Sequence, residues 1–286
     1  MANLKEVRVR IASVDSTKQI TNAMRMVSAS KLRKAQNLIL TLRPYASKLR
    51  ELLERLGESD SSESPYHEVR HENHIILVVI TSNKGLCGAF NSNVIKATRK
   101  RIDEILAKNS ACKIELITIG KRGTDFFKRV NFPIFASYDD IFDHLTFENV
   151  SILAEKLMDD FLKKKTDRIE CIYNQFKNAA VQSIQNEVFL PFAKKETEES
   201  STTLNYIFQP GKEEIVESLI PKTLRTQFFK MILDSSASEH GARMTSMHKA
   251  TDNANELLKA LKLSYNKVRQ ASITNEIIEI VGGSGI

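Results

Sequence analysis

The chain has 286 residues, of which 42% are hydrophobic and 27% are charged, and its formal net charge is +7. This length holds one or two domains with a sizeable core, and the composition is that of a soluble globular protein rather than a disordered or fibrous one. No apolar run approaches the roughly 20 residues that a membrane-spanning helix needs. The N-terminus carries neither a signal-peptide core nor a transit segment, so we expect the protein to stay in the cytosolic compartment.

The positive charge is concentrated at the start of the chain. Residues 1–56 hold twelve Lys or Arg side chains and four acidic ones, a net of +8 that exceeds the charge of the whole protein. A basic rod of this kind suits an acidic partner, which can be nucleic acid, an anionic membrane surface or acidic protein loops. A solvated helix face that binds nothing is the alternative.

Both ends of the chain carry the apolar spacing of a coiled coil, with steps of three and four residues. The N-terminal positions are Leu4, Val7, Ile11, Val14, Ala35, Leu38, Leu42, Tyr45, Leu49, Leu52 and Leu56, and the C-terminal positions are Ala250, Ala254, Leu257, Leu261, Ser264, Val268 and Ala271. Such spacing keeps one seam facing a partner helix. We therefore predict that residues 1–58 and 211–286 pair as a long antiparallel coiled coil.

Two irregularities interrupt the first predicted helix. Pro44 has no backbone N–H to donate, which predicts a kink or a break at that point. Between residues 18 and 34 the apolar positions shift to Ile20, Met24 and Val27. A coil that packed only on itself would have no reason to change phase there, so we expect a third surface to contact it at this level.

The middle of the chain, residues 73–195, predicts a Rossmann-like domain with a mostly parallel sheet. Six consecutive apolar residues, 75–80, indicate a strand that is buried on both faces. The predicted elements that follow are a helix that Asn91 or Ser92 caps and that runs to about Lys108, a strand at 114–119, a helix at 148–165, a third strand at 168–173 and an edge strand at 181–190. The fold class is therefore α/β, with the coiled coil added.

A match to the zinc-peptidase motif HExxH occurs at His67-Glu68-Val69-Arg70-His71. That chemistry requires both histidines on one face of a stable helix, together with a third ligand. Here the motif follows a polar connector and runs directly into the first buried strand. We therefore interpret it as a solvated connector, with a zinc peptidase as the remote alternative.

The loop from Gly85 to Gly88 follows a strand and opens a helix, a setting that suits phosphate binding. Neither GxGxxG nor GxxxxGK[ST] occurs in the chain, so we predict a tight turn with close strand–helix packing instead. The three cysteines, Cys87, Cys112 and Cys171, form no CxxC pair and are interpreted as reduced, buried thiols. The chain has no tryptophan, and no aromatic residues interleave with its basic stretches, which leaves non-specific binding of a DNA backbone as an alternative role of the coil.

Segments spread along the whole chain resemble the gamma subunit of F-type ATP synthase. They are residues 11–14, 20–31 and 43–45 at the N-terminus, 84–88 with Asn91 in the middle, and 242–244, 250–254, 265–267 and 269–276 at the C-terminus. The long insertion with a regulatory cysteine pair that chloroplast relatives carry is absent. The resemblance therefore points to a bacterial protein.

The resemblance implies a non-catalytic subunit that acts as a rotor shaft. In that family the coil lies inside a hexamer of alpha and beta subunits, and proton flow turns a c-ring that turns the shaft. It implies beta-subunit contacts at Arg25, Met26, Lys31, Arg269, Gln270 and Thr274, and contacts with the c-ring and the epsilon subunit at Tyr206, Ile207, Phe208 and Gln209. It implies no cofactor, no metal and no nucleic acid, and a peripheral location on the cytoplasmic side of the bacterial inner membrane.

Overall fold

The structure is a computed structural model that describes residues 4–57, 64–192 and 211–283. Its contacts divide the chain into two compact units, Met1–Ser30 with Arg243–Ile286, and Lys31–Ala242. The elements, in chain order, are the helix α1 (Leu4–Gly57), strand β1 (His74–Ile80), helix α2 (Phe90–Lys108), strand β2 (Lys113–Ile119), helix α3 (Lys121–Arg129), strand β3 (Ile134–Tyr138), helix α4 (Phe147–Leu162), strands β4 (Arg168–Phe176) and β5 (Gln182–Leu190), and helix α5 (Lys212–Gly283). Short 3₁₀ turns lie at Pro65–His67 and Asp140–Phe142.

The larger unit is built on one five-stranded sheet in the order β3-β2-β1-β4-β5. The pairs β1–β2, β1–β4 and β2–β3 are parallel, and β5 runs antiparallel to β4 at the edge. The prediction of a mostly parallel sheet, with the last strand in chain order at one edge, is therefore confirmed. Residues 75–80 of β1 are all buried, as an unbroken apolar run in a central parallel strand requires.

The core on one side of the sheet lies between β1, β2 and helices α2 and α3. Ile75, Leu77 and Val79 form this cluster together with side chains of the neighbouring elements, namely Val94, Ile102, Ile105, Cys112, Ile114, Leu116, Phe127 and Ile172. Alternate residues of β1 contribute to it because successive side chains of a strand point to opposite faces. The three cysteines are buried thiols that form no disulfide, as predicted.

A buried ion-pair network holds α2 against the sheet. The Glu170 side chain is fully buried on β4, and the Arg101 side chain of α2 donates to both of its oxygens at 2.7 Å. Arg168 Nε donates at 2.7 Å and Asn186 Nδ2 at 2.9 Å to the same carboxylate. Although burial alone raises the pKa of Glu170, these donors together hold the pKa below its ordinary value, so the carboxylate stays ionised.

Two predictions about the elements are wrong. A fourth parallel strand, β3, and the short helix α3 before it lie between Gly120 and Phe147, where no element was predicted. Asn91 does not cap α2, because its Oδ1 accepts from Ser82 N at 2.9 Å and so joins the helix to the loop after β1. At Pro44 the helix α1 continues, so the predicted break does not occur, while the predicted kink stays a prediction.

Candidate functional site

The smaller unit pairs the first part of α1 with the last part of α5. The least exposed positions of each helix recur at steps of three and four residues. They are Leu4, Val7, Ile11, Val14, Lys18, Thr21, Arg25 and Ser28 on α1, and Met247, Thr251, Ala254, Leu258, Leu261, Tyr265, Val268 and Ser272 on α5. This is the spacing of a coiled-coil seam, and it confirms the predicted coil of the two terminal helices.

The hydroxyl groups of Thr21 and Thr251 lie 2.9 Å apart and fix the register of the two helices. The residues of α1 that follow Thr21 line a cleft with residues of α5 that precede Thr251, so the two helices run antiparallel. Counting in opposite directions from this hydrogen bond places Val14 level with Leu258 and Leu4 level with Val268. The seam therefore ends at about Ser272 on α5, where the described part of α1 ends.

The seam of α1 keeps its phase between residues 18 and 34, and apolar side chains of that stretch leave it. Ile20 and Val27 are 60% and 58% exposed, whereas Ser28 is 3% exposed on the seam. Small hydroxyl side chains can occupy a buried seam because their own helix satisfies them. Ser28 Oγ donates to Met24 O at 2.8 Å, and Thr21 Oγ1 donates to Lys18 O at 3.0 Å. Ile20 and Val27 thereby face outward, and the predicted contact with a third surface at this level stays a prediction.

Several predicted seam positions of α1 and α5 are wrong by one residue. Leu38, Tyr45, Leu52 and Leu257 were predicted on the seam, yet each is more than a third exposed. The chain carries apolar pairs at these points, such as Leu257-Leu258, and the second member of that pair is the buried one. Hydrophobicity alone does not decide between adjacent apolar residues, since both fit an average step of 3.5.

Two of the six predicted beta-subunit contact residues lie beside a cleft of the coil. Arg25 and Met26 line it together with Ala29, Met244, Thr245 and His248. Met26 is 57% exposed, and Arg25 is half-buried with Nη2 donating to Asn22 Oδ1 at 3.0 Å. Arg25 Nε is buried and has no hydrogen-bond partner among the residues that the structure describes. The Arg25 side chain is thus held along α1, in the same cleft as the exposed Met26.

Arg269, Gln270 and Thr274 form a second group at a different level of the coil. Arg269 and Gln270 are exposed, and the Thr274 hydroxyl donates to Gln270 O at 2.9 Å, so it is satisfied by its own helix. The register places Met26 level with residue 246, and Arg269 therefore lies about 35 Å further along α5 at 1.5 Å per residue. The structure does not bring the two groups together. Lys31 is exposed on α1 and belongs to the larger unit.

The last described turns of α5 expose a set of apolar side chains that we call the tip, residues 273–281. Every residue from Ile273 to Gly282 is exposed. The apolar members are 48–71% exposed and comprise Ile273, Ile277, Ile278, Ile280 and Val281. The coil seam has already ended at this level, so α5 has no partner from the described part of α1.

The predicted foot, Tyr206, Ile207, Phe208 and Gln209, lies outside the described residues. Within the described ranges, no helix has both the length and the apolar content that a membrane crossing requires. The predicted contacts with a c-ring and an epsilon subunit therefore stay predictions.

The carboxyl edge of the sheet, where doubly wound folds bind nucleotides, is closed by its own loops. The first backbone N–H groups of α3 would be the phosphate donors there. Lys121 N donates instead to Asn83 Oδ1 at 3.0 Å, Arg122 N to Ser82 O at 3.1 Å, and Gly123 N to Thr81 Oγ1 at 2.9 Å. In the neighbouring loop Gly88 has φ +60°, in agreement with the predicted tight turn.

The HExxH segment is not helical after His67, so its two histidines do not share a helix face. His67 Nδ1 lies 2.6 Å from Phe192 O, and His71 Nδ1 lies 2.9 Å from Asn73 Oδ1. Arg70 donates to Glu68 Oε2 at 2.6 Å and to Phe161 O at 2.8 Å, and its guanidinium lies 4.5 Å from the centre of the Phe161 ring. This geometry does not fit the peptidase alternative. The segment is also better fixed than the predicted solvated connector.

The chain matches the family model described as ATP synthase over residues 3–285. It is 56% identical over 286 residues to the ATP synthase gamma chain of Flavobacterium johnsoniae, and 55% identical over 287 residues to that of Christiangramia forsetii; each match covers 99% of this chain and 98% of the relative. Among solved structures it is similar to the central stalk and c-ring of the Tetrahymena thermophila mitochondrial ATP synthase, with 25% identity and a TM-score of 0.59 over 81% of this chain and 99% of that one. Its fold is also similar to that of a chain in the Euglena gracilis mitochondrial ATP synthase assembly of OSCP, F1 and c-ring. The TM-score is 0.69 at 20% identity, over 98% of this chain and 93% of that one. The family-model match over residues 3–285 and the 56% identity to a gamma chain over the full length of both proteins place this chain in the ATP synthase gamma chain family.

Proposed function

We propose that this chain is the central rotor shaft of a bacterial ATP synthase. It is a non-catalytic subunit that couples proton flow through the membrane sector to ATP synthesis and hydrolysis at the hexamer of alpha and beta subunits. The observation that carries this proposal is the 56% identity to a bacterial ATP synthase gamma chain over the full length of both proteins. The paired terminal helices supply the stiff element that rotation requires.

The partners follow from the same likeness: the alpha and beta subunits around the coil, and the epsilon subunit and the c-ring at the body. Two groups are proposed to meet the beta subunits, Arg25, Met26 and Lys31 on α1, and Arg269, Gln270 and Thr274 on α5. Their separation along the coil supports contacts at two heights of the hexamer. The stretch from Tyr206 to Gln209 is proposed to seat on the c-ring and the epsilon subunit.

The functional division that we propose is a coil of residues 1–58 and 211–286 and a body of residues 73–195. The protein is peripheral to the membrane through its complex, on the cytoplasmic side of the bacterial inner membrane. A shaft can drive a change in a beta subunit only if it binds one conformation of that subunit better than another. Arg269 and Gln270 are exposed and so available to a partner, and we propose that they supply part of this difference.

The first test is assembly. The tagged chain, expressed in a bacterial host from which the native gamma chain has been deleted, should co-purify with alpha and beta subunits from membranes and restore ATP-driven proton pumping. Its failure to assemble with them would reject the proposed function.

The contact groups are tested in the same complex. Replacing both Arg269 and Gln270 with Ala should lower ATP turnover while the subunit stays folded, whereas Lys259→Ala with Lys262→Ala, exposed on the same helix, is the matched control. Unchanged turnover in the first variant would remove that pair from the contact surface. Met26→Lys adds a cation at the cleft and should impair coupling; normal proton pumping per ATP would show that Met26 is not at a beta-subunit contact.

A further inference from the structure

One stretch of α5 in the larger unit is buried on every side. We call it the collar, residues 231–242. Every residue from Met231 to Glu239 is buried, as are Gly241 and Ala242. A helix that is buried all round normally lies in the core of a protein. The composition of the collar explains how it fits there, since Ser235, Ser236, Ala237, Ser238, Gly241 and Ala242 are all small.

The collar lies at the carboxyl end of β4. Ser238 Oγ donates to the backbone oxygen of Asn174 at 3.0 Å, and both groups are buried. Asn174 Nδ2 in turn donates to Phe90 O, at the start of α2, at 3.3 Å. One hydroxyl therefore begins a chain of hydrogen bonds that joins α5 to the strand and the strand to α2.

Gly241 lies next to the loop that follows β4. A Cβ atom at this position would be 3.2 Å from Ala179 Cα, 3.3 Å from Ala179 O and 3.5 Å from Phe176 Cε2. The next residue, Ala242, packs with Cys87 and Phe90 at the carboxyl end of β1. Ser238 and Gly241 are three residues apart and so lie on one face of α5, which is the face turned to the sheet.

These contacts occupy a particular place in the fold. β1 and β4 are neighbours, and β1 leads to α2 and β2 on one side while β4 leads away on the other. The carboxyl ends of such a strand pair form the crevice in which doubly wound sheets bind their ligands. In this protein α5 contacts the carboxyl ends of both strands, through Ser238 and Gly241 at β4 and Ala242 at β1.

We infer that Ser238, Gly241 and Ala242 are positioning residues, which fix α5 rigidly to the sheet so that rotation of the body is transmitted into the helix. The inference rests on the proposed function. Torque applied to the body reaches a helix only through contacts that do not slip. A close approach between backbones provides this better than long side chains do, since a packed interior deforms little.

The first experiment locks the joint. Ala179→Cys and Gly241→Cys are introduced together into the full chain, assembled in the ATP synthase complex and oxidised; the single-cysteine variants are the controls. A Cβ atom at position 241 would lie 3.2 Å from Ala179 Cα, which makes this pair a candidate for a disulfide, and mass spectrometry of the oxidised complex establishes that the bond has formed. The oxidised complex should pump protons as its reduced form does, because the sheet and the helix already turn together. Loss of pumping on oxidation, regained on reduction, would overturn the inference.

The second experiment loosens the joint. Gly241→Leu should lower the ratio of proton pumping to ATP hydrolysis by about fivefold or more, since helix and loop are forced apart. Lys249→Leu, which places a leucine at an exposed position of the same helix, is the matched control. An unchanged ratio in Gly241→Leu would also overturn the inference; if that variant does not assemble, the disulfide experiment decides. A wild-type chain that itself fails to assemble or pump rejects the proposed function instead.

Discussion

The collar and the tip belong to the same helix and meet water in opposite ways. Every residue of the collar is at least half-buried, whereas every residue of the tip is exposed. The collar is nevertheless rich in Ser, Ala and Gly, and the tip is rich in isoleucine. Hydrophobicity alone does not predict the exposed isoleucines of the tip, nor the burial of the three serines, Asp234 and Glu239 in the collar.

This contrast shows what each stretch is fitted to. Small residues in the collar allow the sheet to approach the helix closely, as the contacts of Ser238 and Gly241 show. A series of exposed isoleucines is unfavourable in water and indicates a surface that another protein covers. In the proposed rotor, the collar is the part that is fixed to the body and the tip is the part that lies inside the hexamer.

Making the same substitution in the collar and in the tip tests the contrast between them most directly. Ile232 is fully buried in the collar, and Ile278 is 61% exposed in the tip. In the full chain studied alone, Ile232→Ala should lower the free energy of unfolding by about 2–5 kcal/mol because a cavity is left. Ile278→Ala should change it by less than about 0.5 kcal/mol. Urea denaturation of both variants measures the difference, and equal effects would contradict the contrast between collar and tip.

A buried carboxylate makes the collar sensitive to pH. Asp234 is 3% exposed, and burial, with a contribution from Glu187, raises its pKa from 3.8 to about 6, although Lys230 and Arg43 act in the opposite direction. Between these two values the folded protein binds a proton that the unfolded chain does not. The contribution of Asp234 to the free energy of unfolding therefore falls as pH rises from about 4 to 7, by about 2–3 kcal/mol in total.

Asp234→Asn tests that contribution, since the amide is neutral at every pH. The variant should be more stable than the wild type at pH 7.5 and should lose most of that advantage at pH 4. Thermal unfolding at both pH values, with the exposed Asp252→Asn as the control, measures the effect. A variant that is less stable at pH 7.5 would show that the ionised carboxylate is a favourable partner of Lys230 or Arg43.

The hydrogen bond from Ser238 to Asn174 O should contribute the smallest of these effects. Ser238→Ala should lower the free energy of unfolding by about 1–2 kcal/mol, because a buried carbonyl loses its donor. Ser264→Ala, at an exposed position of the same helix, should leave stability nearly unchanged and improve helix propensity. If both variants behave alike in denaturation, the collar is held by packing alone.

Much of the fold could be predicted from the sequence. The unbroken apolar run of β1 and the alternation of strands and helices indicated the parallel sheet, and the heptad spacing indicated the coil. What could not be predicted were features that depend on neighbours in space. Adjacent apolar residues such as Leu257 and Leu258 fit either seam, and only the partner helix selects one.

The missed elements have the same kind of cause. The helix α3 is only nine residues long and contains Gly123 in its first turn, so it is too short to show a sustained helical period. The edge strand β3 alternates in burial over 134–138, but its sequence does not alternate apolar with polar residues, since Phe135 is on the exposed side. Asn91 was predicted to cap α2, yet its side chain accepts a hydrogen bond from Ser82 N in the loop after β1. The collar carried no sequence signal for its burial, since small residues suit many environments.

Hydrogen exchange of α5, measured in the full chain alone and in the assembled complex, tests the central claim most directly. The account predicts that amides of the collar are protected in both samples, since this stretch lies in the core of the larger unit. Amides of the tip should exchange rapidly in the chain alone, because the described part of α1 ends before this level, and slowly in the complex. A collar that exchanges as fast as the tip, or a tip that gains no protection on assembly, would contradict the account.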